Sequence, residues 1–278
     1  MIAASFLCIM EVRRMAKIGF IGMGNMGRAI LAGALKEFPK EDMVFSAKTL
    51  ETKKKVYEQT GVEYTDSNAE CANKCKYLIL AVKPQFYDEV LKGIRYMVTP
   101  EHVIISLAPG KTIEQLKDNL GHDKRIVRVM PNTPAMIGEG MTGISCRKEE
   151  LSEVELDMLR RIFSACGKAE FIDERLMNAV VCASGSSPAF VYMFIEALAD
   201  SAVRYGMPRK QAYIFAAQAV KGAAAMVLET GEHPGVLKDQ VCSPAGTTIE
   251  GVAALEACGM RDAVMKASDA VYKKCTDM

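Results

Sequence analysis

Three glycines, Gly22, Gly24 and Gly27, stand at G-x-G-x-x-G spacing within Gly22-Met23-Gly24-Asn25-Met26-Gly27. The spacing has a chemical use. A first glycine permits a tight turn, a second removes the side chain where a pyrophosphate must approach the backbone, and a third lets a helix pack closely on a strand. The apolar run Ile18–Ile21 before them reads as a buried strand, and residues 28–35 after them suit a helix. A helix N-terminus placed there offers free amides and a positive dipole end to phosphates. Gly22, Met23, Gly24, Asn25, Met26 and Gly27 are therefore a candidate dinucleotide loop, against the plainer reading of a glycine turn with no ligand.

The choice of dinucleotide is read at the exit of a second strand, 43–46. An NAD site often carries Asp or Glu about twenty residues beyond the glycines, on the ribose hydroxyls. Here the exit reads Ser46-Ala47-Lys48-Thr49, with no carboxylate. Ser46 and Thr49 can hydrogen-bond a phosphate and Lys48 can neutralise it, so NADP(H) is preferred, with NAD(H) possible. The plainer reading of Lys48 is a solvated surface lysine. Three more strand exits carry small residues and proline: Ala81-Val82-Lys83-Pro84, Ser106-Leu107-Ala108-Pro109-Gly110 and Met130-Pro131-Asn132-Thr133-Pro134. Backbone left bare there suits a close-fitting nicotinamide ribose. Ala81, Val82, Lys83, Pro84, Leu107, Ala108 and Asn132 join the candidate cofactor contacts on this ground. A further stretch, Cys242-Ser243-Pro244-Ala245-Gly246-Thr247-Thr248-Ile249-Glu250, sets Ser, Pro and Gly before a helix beginning near Thr248. Hydroxyls and free amides at a helix start can receive an anion, or one threonine can simply cap the helix. Spacing alone does not choose between these.

These loops need elements to hold them. Strand-like segments at 18–21, 43–46, 77–82, 103–107, 126–130, 143–146 and 170–172 alternate with helical spacing, including 50–59, 85–97 and 153–163. Alternation of this kind predicts a mostly parallel sheet covered by helices, with a ligand crevice at the strand exits. After about residue 173 strands cease, and alanine and methionine become frequent. Segments 188–205 and 212–228 are apolar around most of their circumference, which predicts burial on most faces. A domain of about a hundred residues offers little interior for two such helices, so a second copy of the chain is expected to cover them, against the plainer reading of a helical domain packed only on its own sheet domain. The expected fold is α/β: an N-terminal Rossmann-type doubly wound sheet at 15–174, then an all-helical C-terminal domain at 175–278.

The 278 residues carry 35 Lys plus Arg against 34 Asp plus Glu, a net charge of +1. No bulk charge points to nucleic acid or to an anionic membrane, and neither is expected as a partner. Nine cysteines without a C-x-x-C pair, and three histidines at no ligand spacing to them, predict no metal site. They fit reduced thiols in a cytoplasmic protein. Residues 2–10 are apolar but too short to span a bilayer, and the basic Arg13 and Arg14 follow rather than precede them. Residues 1–14 are read as a dispensable extension.

In order along the chain, G-F-I-G-M-G-N-M-G, A-V-K-P-Q, M-P-N-T-P, S-G-S-S-P-A-F and L-K-D-Q-V-C-S-P-A-G-T-T-I-E-G closely resemble the pyrroline-5-carboxylate reductases. One departure is Ser187, where the family commonly has glycine in S-G-S-G-P. The resemblance implies reduction of 1-pyrroline-5-carboxylate to L-proline by NADPH or NADH, the last step of proline biosynthesis. It further implies a homodimer or higher oligomer through the helical domain, with the active site at the subunit interface. Carried over by motif, Thr248 is the catalytic candidate. Glu232, Val241, Ser243, Gly246, Thr247 and Thr248 are expected to bind substrate, and Asn68 to contact the adenosine side of the cofactor. Two alternatives remain at this level: a related NADP-dependent imine or 2-oxoacid reductase, and a non-catalytic NADP(H)-binding sensor. A hydroxyacid dehydrogenase of similar architecture would be expected to place a lysine at 184–190, and none is present.

Overall fold

A computed structural model describes residues 18–277; the N-terminal extension read at 1–14 lies outside them. The chain forms two compact units, one running to Gly185 and resumed at Lys274, the other Ser186–Lys273. The sequence places its functional boundary after 174, and 175–185 fold with the first unit.

The first unit is an eight-stranded sheet: β1 (Ile18–Ile21), β2 (Met43–Ser46), β3 (Glu63–Tyr64), β4 (Tyr77–Leu80), β5 (Val103–Ser106), β6 (Arg125–Met130), β7 (Gly140–Cys146) and β8 (Gly167–Phe171). Its order is β3-β2-β1-β4-β5-β6-β7-β8. β1 to β6 are mutually parallel, β7 runs antiparallel to β6, and β8 is parallel to β7. The crossover between β1 and β4 is the topological switch point where ligands bind such sheets.

Both faces are covered, which is why β1, β2, β4 and β5 are buried along their whole length and read as nearly unbroken apolar runs. Ile18, Phe20, Phe45, Ile79 and Ile105 face one cluster with α1 (Asn25–Ala34) and α6 (Glu153–Ser164). Ile21, Val44, Leu78, Leu80 and Ile104 face the other. That cluster holds residues of α3 (Asn68–Asn73), α4 (Tyr87–Ile94) and α5 (Ile113–Leu120), while α2 (Leu50–Thr60) contributes Val56 to the first cluster. Each fully buried Leu, Ile or Phe contributes about 1.5–3 kcal/mol.

Helix starts are set by polar caps. The Thr49, Ser67, Thr112 and Ser152 side chains accept from the third helical amide of α2, α3, α5 and α6, and the last two form reciprocal capping boxes with Gln115 and Glu155. Glu155 is buried and also receives Lys76 Nζ at 2.7 Å and Arg125 Nη1 at 2.8 Å. Burial pushes its carboxyl up, but Lys76, the Ser152 amide and Arg125 outweigh that and hold it at about 2. A carboxyl lowered on folding stabilises above its unfolded value of about 4.3 and loses that stabilisation as pH falls toward the folded one. Glu155→Gln is therefore expected to lower unfolding free energy at neutral pH by about 2–3 kcal/mol and to flatten the acid limb of the stability curve between about pH 5 and 2. Urea titrations of parent and variant across that range check it.

After β8 the chain enters α7 (Met177–Val180), a π-helical turn (Val181–Gly185) and the second unit. The rest is α8 (Ser187–Arg204), α9 (Arg209–Thr230), α10 (Pro234–Val241), α11 (Thr247–Ala257) and α12 (Met260–Thr276). α8 and α9 pack around Ala199, Ala212 and Ala216, the buried apolar residues of this unit among those described. Met193, Ile214 and Phe215 stand 69%, 62% and 61% exposed. Glu174–Arg204 contains, by length and composition alone, a stretch apolar enough to cross a membrane. Its exposed apolar side chains equally suit burial by another protein chain.

Candidate active site

In the first unit the exits of β1, β2 and β4 enclose a groove of about 360 Å³. Its walls include Gly22, Met23, Gly24, Lys48, Asn68, Ala81, Val82 and Lys83, eight of the residues expected from sequence to touch a cofactor. Gly22 has φ +100°, and a Cβ there would lie 2.8 Å from the Ala81 carbonyl oxygen. Gly24 has open space where its Cβ would be, the room a pyrophosphate needs to reach the backbone. At Gly27 a Cβ would sit 2.2 Å from the Gly22 carbonyl oxygen, so the helix can approach the turn only without one. Gly24 is also the N-cap of α1; no side chain caps that helix and its first turn has no acid. Its first amides and positive dipole end are left for an anion. The residues present thus fit a dinucleotide phosphate.

The expected contacts behave differently from one another. Asn25 is exposed and accepts from Arg28 Nη2 at 3.0 Å, and Met26 packs partly into the core beside the turn. Ser46 lies behind the groove wall. Its side chain is 1% exposed, and its hydroxyl donates to Asn68 Oδ1 at 2.6 Å, while its carbonyl accepts from the Gly22 amide at 3.0 Å. The Ser46 side chain points inward here and braces Asn68, a residue of the groove wall, while its carbonyl braces the glycine turn. Thr49 is likewise engaged, capping α2 and donating to Thr52 Oγ1 at 2.9 Å. Lys48 remains the cation at this exit, with Nζ 4.8 Å from the Phe86 ring centroid.

Asn132 is likewise absent from the groove wall. It is buried, donates to the Ser184 carbonyl at 3.0 Å and accepts from the Met141 amide at 2.9 Å. Its amide ties the β6 exit to β7 and to the π-helical turn, leaving its side chain a bracket. Pro84 starts a 3₁₀ turn, Leu107 is half-buried and Ala108 is buried; none of the three lines the groove. Sequence reasoning missed Thr52, Phe86 and Glu89, which do line it. The signal for Phe86 lay in its place just after Lys83-Pro84-Gln85, at a helix start.

The candidate substrate residues all lie in the second unit. α11 begins at Thr247 with Gly246 as N-cap and no side-chain cap, so neither threonine hydroxyl serves as the cap. The turn before it is tight: the Gly246 amide donates to the Ser243 carbonyl at 3.0 Å, across Pro244 and Ala245. Ala245 has φ +59°, the one non-glycine residue at positive φ among those described. This left-handed conformation costs an alanine roughly 1–2 kcal/mol. Strain held at a turn is a pointer to function. A Cβ at Gly246 would lie 2.4 Å from Ser243 Oγ, so the turn admits only glycine there without rearrangement. Ser243, Thr247 and Thr248 are exposed. Nearby, Glu232 accepts from Gln240 Nε2 at 3.0 Å, and Val241 borders an apolar cavity of about 360 Å³ with Ala223, Met226, Val227 and Leu237. Among the described residues, Glu114, Asp118 and His122 are the one group of metal-ligating types that converge, and all three are exposed.

A mostly parallel sheet in this order, a glycine turn opening on an uncapped helix and a groove with two lysines at the switch point define a dinucleotide-dependent oxidoreductase. Residues 17–110 match the family described as NADP oxidoreductase coenzyme F420-dependent, and residues 174–278 match pyrroline-5-carboxylate reductase dimerisation. The pyrroline-5-carboxylate reductase of Escherichia coli K12 is 47% identical over 261 residues, covering 93% of this chain and 96% of its own. Among solved structures, a pyrroline-5-carboxylate reductase from Coxiella burnetii aligns at 31% identity and TM-score 0.89, over 95% of this chain and 98% of its own. The Plasmodium falciparum pyrroline carboxylate reductase with NADP bound aligns at 32% identity and TM-score 0.83, with the same coverages. The chain belongs to the pyrroline-5-carboxylate reductase family.

Proposed function

We propose that this chain reduces 1-pyrroline-5-carboxylate to L-proline with NADPH as the preferred reductant. The observation that carries the reading is the pairing, in one chain of this family, of the open glycine groove with the uncapped start of α11. When bound, the nicotinamide supplies a hydride. The substrate's imine is electrophilic once protonated, so the protein needs to orient it and stabilise its charges rather than present a strong acid. The amides at the start of α11 hold the substrate carboxylate, as the first turn of a helix holds an anion. The Thr248 hydroxyl lies beside the ring nitrogen, with Glu232, Val241, Ser243, Gly246 and Thr247 around it. A new C–H bond forms at the imine carbon, and the C=N π electrons pass to the nitrogen, which already carries its proton.

Lys48 sits at the β2 exit with no carboxylate beside it in the sequence, the arrangement that favours a 2′-phosphate. Residues 175–278 serve assembly and substrate binding, and the working site forms at a subunit interface in a cytoplasmic oligomer. The sparse interior of the second unit supports this reading, since its exposed apolar surface needs a cover. Oxidation of NADPH dependent on pyrroline-5-carboxylate, followed by absorbance, tests the activity; tight NADPH binding without turnover would leave a sensor instead. Thr248→Ala is expected to lower kcat/KM for the imine by about 1–3 kcal/mol, roughly 5- to 150-fold, with the melting temperature unchanged because this hydroxyl caps nothing. Parent kinetics in the variant would remove Thr248 from the site.

A further inference from the structure

We propose that Tyr87 is a positioning residue for the cofactor: its buried hydroxyl pins the exits of β4 and β5 to each other and fixes the two loops that follow them. The proposal rests on reading the adjoining groove as the NADPH site.

Tyr87 opens α4 and is 0% exposed. Its hydroxyl donates to the Leu80 carbonyl at 2.7 Å, and accepts from the Leu107 amide at 3.0 Å and from Ser106 Oγ at 3.2 Å. A phenol has one O–H and two lone pairs, so its capacity is fully used. Ser106 Oγ in turn accepts from the Ala108 amide at 3.3 Å, and the Leu107 amide is shared with the Leu80 carbonyl at 3.2 Å. A phenylalanine ring would fill the same space; what the hydroxyl adds is these bonds.

Their position gives them a function. The loop between Leu80 and Tyr87 contains Ala81, Val82, Lys83 and Phe86, all of which line the groove. That loop leaves β4 at Leu80 and is tied back to Leu80 by the Tyr87 hydroxyl, so it is closed at its base. Gly22 depends on the same loop, because its turn lies against the Ala81 carbonyl. The second loop, at Leu107 and Ala108, is held through the same oxygen and Ser106. One buried atom therefore ties the exit of β4, which borders the switch point, to that of β5. Burial pushes the Tyr87 hydroxyl up to about 12, so it stays a donor through the neutral range and the tie does not titrate there.

Tyr87→Phe and Ser106→Ala, made in the full chain, test this by NADPH fluorescence titration, steady-state kinetics, amide hydrogen exchange and thermal melting. Tyr87→Phe is expected to raise the NADPH Kd and KM about tenfold, while kcat and the imine KM move less than about twofold. Amides in 81–86 and 107–108 should exchange faster. Ser106→Ala keeps the bond to Leu80 and should raise Kd about two- to threefold. A lowered melting temperature with parent Kd and parent exchange would make Tyr87 a packing residue only and overturn the proposal. If Tyr87→Phe does not fold, Ser106→Ala decides alone, and an unchanged Kd with unchanged exchange overturns it. Failure of the parent itself to bind NADPH would sink the reading of the groove, and this proposal's cofactor role with it. Intact parent binding with unchanged exchange in Tyr87→Phe sinks the tie alone.

Discussion

Gly24→Val is expected to cost roughly 10- to 100-fold in NADPH affinity while leaving the protein folded. The position has ordinary extended backbone, φ −73°, and nothing lies within 4 Å of a Cβ built there, so the fold has room for a side chain. A dinucleotide does not. The added methyls fill the space through which a pyrophosphate reaches the α1 amides, and overpacking of that order costs about 1–3 kcal/mol. Loss of a glycine N-cap removes less than about 1 kcal/mol of stability. Gly27→Ala should show the reverse pattern, since its Cβ would lie 2.2 Å from the Gly22 carbonyl oxygen and the backbone must shift. NADPH titration and thermal melting on both variants decide the matter. Parent affinity in Gly24→Val would mean that the phosphates lie elsewhere.

A lysine at Ala223 is expected to abolish assembly. Ala223 is exposed in the single chain, on the wall of the apolar cavity formed with Met226, Val227, Pro234, Leu237 and Val241. In an isolated chain the substitution is harmless, because the ammonium reaches water. If a second subunit covers this surface of the domain that matches the dimerisation family, the charge is buried without a partner. That costs about 3–5 kcal/mol, enough to shift a micromolar dimer to monomer or to unfold it. Light scattering of the parent should give at least a dimer, and Ala223→Lys a monomer or aggregate with little activity. An active, fully assembled Ala223→Lys would place the interface on another face.

Much of the first unit was legible because its signals are local. Ile18–Ile21 and Met43–Ser46 are strands with the expected ends, and α2 and α6 end within one residue of expectation. Threonine and serine caps punctuate them. The expected strands at 77–82 and 103–107 stop earlier, at Leu80 and Ser106. Ala81, Val82 and Leu107 are as apolar as strand residues, yet they turn off the sheet into the loops; apolar character does not distinguish a sheet interior from a ligand wall. The helix expected at 85–97 is a 3₁₀ turn followed by α4, which ends at Ile94. β3 has two residues on the sheet edge, too few for any periodicity. β7 begins at Gly140, in a run of glycine, methionine and threonine with no strand pattern, and its antiparallel direction depends on β6 alone.

The sequence by itself determined the family, the two textures of the chain, the glycine turn and the stretch that starts α11, because each is written in contiguous residues whose types carry the chemistry. It also marked the alanine-rich helices as needing a cover. Only the tertiary structure decided which side chains at the strand exits are free to meet a ligand. Ser46 and Asn132 have the right chemistry and the right place in the chain, and the fold engages their polar atoms with Asn68 and with Ser184 and Met141. Conversely Tyr87, an ordinary residue in the sequence, becomes a tie between β4 and β5 because the parallel pairing of Leu80 with Ser106 brings both exits within reach of its hydroxyl. Residue type sets what a group is able to do. Hydrogen-bond partners 7 to 52 positions away in sequence, fixed only once strands are paired, set what it has left to offer.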